Sequence, residues 1–96
     1  MPEDWRPTLD RLHAHLAATA ERPVVAGPSR WLGEAEAVVS DVADGDAPTA
    51  AVRTRVEQAR HLLAHVDETG DDEADEHVRE ARRLVEELLA ELAGEA

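Results

Sequence analysis

The 96-residue chain has no cysteine, phenylalanine or tyrosine, and it also lacks lysine, asparagine and isoleucine. Without cysteine there is neither a disulfide nor thiolate chemistry. Without Phe, Tyr and Ile, the core must come from Leu, Val, Ala and the two tryptophans, Trp5 and Trp31. Such a core is thin, and a single domain spanning 1–96 is near the size at which burial alone barely sustains a fold. A partner subunit would add stability. No run of about 18 apolar residues occurs, so no spanning helix is read. The opening Met1-Pro2-Glu3-Asp4-Trp5-Arg6 lacks a basic stretch followed by an apolar one. No secretory signal is read there, and a cytoplasmic location is expected. A Gly-rich phosphate loop is missing, and the only serines, Ser29 and Ser40, lie outside any Gly-x-Ser-x-Gly elbow.

Negative charge is abundant: 22 Asp and Glu stand against 10 basic residues, all of them Arg, for a net charge of -12. Binding to a phosphate backbone rests on cationic neutralisation, so nucleic acid is a disfavoured partner. Arg without Lys, much Ala and Val, few large apolar side chains and a carboxylate-rich surface make the composition resemble that of proteins of halophilic archaea. The resemblance implies a fold tuned to concentrated salt. At molar salt the Debye length falls to about 3 Å, which mutes repulsion among crowded carboxylates.

Apolar periodicity predicts an all-α fold, an antiparallel bundle of about four helices built on a long C-terminal hairpin from Thr49 to Leu92. Trp5, Leu9, Leu12 and Leu16 share one face of a first helix that runs from Trp5 or Arg6 to Ala20 or Glu21, with Asp4 as cap and Pro23 beyond its end. The connector from Arg22 to Pro28 is read as extended. A second helix, Ser29 to Ala43, is expected to start at a Ser29 or Gly27 cap and to bury Trp31, Ala35, Val38 and Val42, with Leu32, Val39 and Ala43 on the flank. Its reverse side carries Gly33, Ala37 and Ser40, small enough for another backbone to approach. Either this helix is the most buried element, or that side is an interface.

Gly45 is expected to end the second helix, with Asp46 capping a third that holds Pro48 in its first turn. The third helix presents Val52, Val56, Ala59, Leu63 and Val66. After a break at Asp67–Asp72, with Asp71 or Asp72 as cap, the fourth presents Ala74, Val78, Ala81, Val85, Leu88 and Leu92 in steps of four and three. Both are expected to be about 20 residues long. Asp75 and Arg79 are an i,i+4 pair, and Ala93–Ala96 is expected to fray.

His61 and His65 stand one helical turn apart, the spacing for two imidazoles on one zinc ion, with Glu57 and Glu68 on nearly the same side. That side is almost opposite the Val52/Val56/Leu63 stripe, so it faces solvent or a partner. The segment Arg60-His61-Leu62-Leu63-Ala64-His65 also resembles the Arg-x4-His signature of HEPN-type ribonucleases, small all-helical and usually dimeric domains. That resemblance implies catalysis by Arg60 and His65 across a dimer interface. Similar spacings recur as Arg6/His13 and Arg55/His61, as abundant Arg and His alone produce. His13, His15 and His77 border apolar stripes, where an imidazole keeps a wet tip. Arg79, Arg82 and Arg83 form a basic patch expected to pair with neighbouring glutamates.

The expected function is therefore that of a non-enzymatic interaction or scaffold bundle without a cofactor, self-associating or binding another protein. The alternative is a metal-dependent or HEPN-like ribonuclease that uses the His61/His65 face.

Overall fold

The computed structural model describes residues 4–44 and 46–94. Four helices follow one another: α1 (Arg6–Thr19), α2 (Ala26–Ser40), α3 (Thr49–Ala64) and α4 (Asp72–Ala93). Each packs on its neighbours in sequence, and α4 closes the ring against α1. The all-α bundle read from periodicity is the fold. The C-terminal hairpin of α3 and α4 is covered by α1 lying mainly on α4 and α2 mainly on α3, and these two contacts are the most extensive in the molecule.

The predicted stripes of α1, α3 and α4 all face inward. Trp5, Leu9, Leu12 and Leu16 meet Val52, Val56, Ala59, Leu63 and Val66, together with Val78, Ala81, Val85, Leu88 and Leu92, in one core that also takes in Leu84. Helix α2 differs by a small rotation. Leu32, Ala35, Val39 and Val42 are buried, whereas Trp31 and Val38, expected at the centre of the face, are only half-buried.

Several boundaries also differ. The connector from Arg22 is not extended as far as Pro28: α2 begins at Ala26, after an extended and uncapped Val25. Gly27 and Pro28 then lie in its first turn, where the N–H that proline lacks has no partner to lose. At the other end the helix stops at Ser40, and Asp41–Asp44 form a turn. Gly45, the expected terminator, lies outside the described residues. Helix α3 is 16 residues long rather than about 20, and it starts after Pro48, not inside a turn capped by Asp46. The Asp44 carboxylate accepts from the Asp46 N–H (3.1 Å), so these acids build the preceding turn instead. Val66 still reaches the core, but from the loop. The chain's last helix reaches Ala93, one residue into the stretch expected to fray, and Glu95 and Ala96 lie outside the described residues.

The α3–α4 connection is closely knit. Asp71 caps α4, its side chain accepting from the Ala74 N–H at 2.9 Å, and Arg22 donates to both carboxylate oxygens at 2.9 and 3.0 Å. The Arg22 hydrogen bonds, then that of Ala74, hold the Asp71 carboxyl below its ordinary range. Asp75 does not form the expected ion pair with Arg79. It accepts from the buried Thr69 through the backbone N–H (2.9 Å) and lies 2.8 Å from the Thr69 hydroxyl. The Val25 N–H donates to the Thr69 carbonyl at 2.9 Å, tying the α1–α2 connector to this loop. Gly70 takes φ 85°, the left-handed conformation that glycine tolerates best.

Arg82 corrects a further expectation. Rather than pairing with surface glutamates, its guanidinium donates to the carbonyls of Leu63 and Val66 at the C-terminal end of α3. Arg53 of α3 does the same for α4, donating to the Leu92 carbonyl at 2.9 Å. Each helix of the hairpin thus supplies a cation to the negative end of the other. Arg83 alone pairs as read, with Glu80 and Glu87.

Candidate functional site

Two surfaces carry the residues singled out by sequence, one on α3 beside α2 and one on α2 itself. On α3, Glu57, His61 and His65 are exposed, as a position opposite the core stripe requires. The two imidazoles meet edge to face, with ring centroids 5.1 Å apart. His65 is not free in solvent, however. It stacks on the Trp31 indole of α2, at 4.6 Å between centroids and 18° between planes. The half-buried position of Trp31 follows from this contact. A shallow groove beside it, about 440 Å³, is lined by Val38, Thr54, Glu57, Gln58, His61 and Leu62.

Arg60 and His65 are not brought together. Arg60 points along α3 toward α4, where it pairs with Glu86 at 3.3 Å. His65 lies on the α2 flank. Five residues of helix turn the chain by about 140° from one whole-turn position, which accounts for the separation. Among the described residues, no group of three or more His, Asp or Glu side chains converges as a metal cage. His61 and His65 would be a two-ligand site; Glu57 lines the same groove as His61, whereas Glu68 lines a separate one with Asp75 and Arg82.

The second surface is the small side of α2. Gly33, Ala37 and Ser40 are all exposed. Because α2 begins at Ala26, Gly33 lies well inside the helix. A Cβ built on Gly33 would meet nothing within 4 Å, so no contact inside the chain calls for glycine there. Helix α2 is also not the most buried element, since within it only Leu32, Ala35 and Val39 are buried. Ser40 makes one link to the bundle, its hydroxyl lying 2.9 Å from Nε2 of His13 on α1.

One model of a protein family, described as a domain of unknown function (DUF8152), matches residues 8–95. The chain belongs to the DUF8152 family. The matched span takes in all four helices, so both surfaces lie within the DUF8152 domain. No curated protein and no solved structure matches the chain.

Sequence reading missed one pair in this DUF8152 fold altogether. His15 of α1 and His77 of α4 approach with their Nδ1 atoms 2.9 Å apart. Each was legible as a boundary residue on its own stripe. Their meeting depends on the register of α1 against α4, which local spacing does not encode.

Proposed function

We propose that the chain is a non-enzymatic interaction or scaffold bundle adapted to high salt, and that it self-associates through the exposed small side of α2. One observation carries this reading: Gly33, Ala37 and Ser40 form an open strip on a helix whose opposite side packs on the bundle, and the bundle makes no use of the glycine. A glycine inside a helix costs about 1 kcal/mol relative to alanine. A backbone docking against Gly33 from a second copy would explain that cost. Two negatively charged copies repel, and concentrated salt lowers this barrier to association.

The ribonuclease or metal-enzyme alternative draws less support. It needs Arg60 and His65, or His61 and His65 with Glu57, to act on one substrate. Arg60 is turned toward Glu86, and His65 is stacked under Trp31.

The test is light scattering in molar KCl. A dimer or larger assembly is expected for the unaltered chain, and Ala37→Arg is expected to shift it to monomer with the helical circular dichroism unchanged. A monomeric unaltered chain would count against self-association. Loss of a measured ribonuclease activity in His65→Ala, with assembly intact, would favour the alternative.

A further inference from the structure

The His15–His77 contact joins the two helices with the most extensive packing in the molecule. The rings are inclined by 49°, with centroids 5.1 Å apart, and both residues are half-buried at the edge of the core. A hydrogen bond between two Nδ1 atoms requires one ring to carry the Nδ1 proton and the other to present a lone pair. At least one imidazole in the pair is therefore neutral. Burial is the main influence lowering the His15 pKa, followed by the positive charge available at His77; Arg11 and Arg83 act in the same sense, and Glu80 opposes them. Glu80 is itself held by Arg83 at 2.8 Å.

Two nitrogen donors 2.9 Å apart also fit another occupant. Metal–imidazole bonds of about 2.0–2.1 Å that meet at a right angle have ends about 2.9 Å apart. This is the cis edge of a tetragonal coordination sphere, the geometry copper(II) prefers, and copper(II) stands highest in the divalent affinity order. We infer that His15 and His77 form a two-imidazole chelate for copper(II) that bridges α1 and α4. On binding, the donor ring's Nδ1 proton transfers to its Nε2. Both rings then bind through Nδ1 as Nε2–H tautomers, and two metal–nitrogen bonds replace the single hydrogen bond. Water completes the sphere, since no third ligating side chain converges there among the described residues. The site is thus exchangeable rather than a closed structural centre.

His61 and His65 are the obvious competitors, and the two pairs differ in preparation. The Nδ1 atoms of His15 and His77 already lie 2.9 Å apart, while a chelate on α3 would have to draw His65 out of its stack with Trp31.

The experiment is a copper(II) titration of the untagged full chain in molar KCl. Visible absorption reports ligand binding, and paramagnetic broadening of the histidine ring-proton NMR signals reports which rings are involved. Saturable one-to-one binding at micromolar metal is expected, with His15 and His77 broadened first. Binding should persist in the His61→Ala/His65→Ala variant and weaken by an order of magnitude or more in His77→Gln or His15→Gln, with folding checked by circular dichroism. Absence of saturable binding, or first broadening of His61 and His65, would overturn the proposal. So would binding unchanged in both single Gln variants. The broadening pattern of the unaltered chain decides the matter even if both variants fail to fold.

Discussion

Gly70 shows how much one residue can depend on its setting. Its φ of 85° disfavours any residue with a side chain, and a Cβ there would lie 3.0 Å from Cγ1 of Val25. Left-handed backbone alone costs a non-glycine residue about 1–2 kcal/mol. Gly70→Ala is therefore expected to lower unfolding stability by roughly that amount, measured by urea titration at fixed high salt. A midpoint equal to that of the parent would show that the loop relaxes without cost. The break at Asp67–Asp72 that holds this glycine was legible from sequence. That the glycine faces Val25 was not, because the α1–α2 connector arrives from 45 positions earlier in the chain. The same limit applies to the histidines. His61 and His65 are visible as a pair because four residues make one helical turn. His15 and His77 are 62 residues apart, and their pairing exists only once α1 lies along α4.

At the scale of the helices, apolar spacing was a reliable guide wherever an amphipathic stripe had strong polar flanks. The stripes of α1, α3 and α4 contain Leu and Val separated by Arg, Glu and Asp, and each buries the residues its spacing selects. Helix α2 has Ala, Gly and Ser on its reverse side and only Arg30, Glu34 and Glu36 as charged residues, so its buried face is less sharply marked. Its orientation was set by contact with α3, including the Trp31–His65 stack. The ends of the hairpin were hidden for a different reason. An arginine capping the carbonyls of another helix looks in sequence like any other surface cation. Arg82 bonds the Leu63 and Val66 carbonyls. Arg82→Ala should thus lower stability by about 1–2 kcal/mol, the scale of hydrogen bonds made by a charged group. Arg82→Lys should restore only part, since a single ammonium lacks the guanidinium fork. Equal urea midpoints for Arg82→Ala and the parent chain would remove the arginine from any capping role.

The whole molecule is small, with a Cα radius of gyration of 12.9 Å and a net charge of -12. Its described ion pairs are mostly exposed, as in Arg6–Asp4, Arg60–Glu86 and Arg83–Glu80. Exposed pairs contribute little each, and they leave most carboxylates unneutralised. Helical circular dichroism is accordingly expected to fall when the protein is moved from molar to millimolar KCl, and to return when salt is restored. An unchanged spectrum would contradict the proposed adaptation to high salt. Among the described residues no helix is long and apolar enough to cross a membrane, in line with the absence of long apolar runs.

Sequence by itself determined that the chain would be helical, that there would be about four helices, which face of three of them would be buried, and that Asp71 or Asp72 would cap the last. These are local properties, written in a period of 3.6 residues and in the chemistry of helix ends. Tertiary structure decided the rest: that α2 turns Gly33, Ala37 and Ser40 outward, that Arg60 and His65 part company, that Arg53 and Arg82 cap each other's helices, and that His15 meets His77. Each of these depends on the relative rotation and register of whole helices, which the summed packing of the core sets and no short stretch of chain contains.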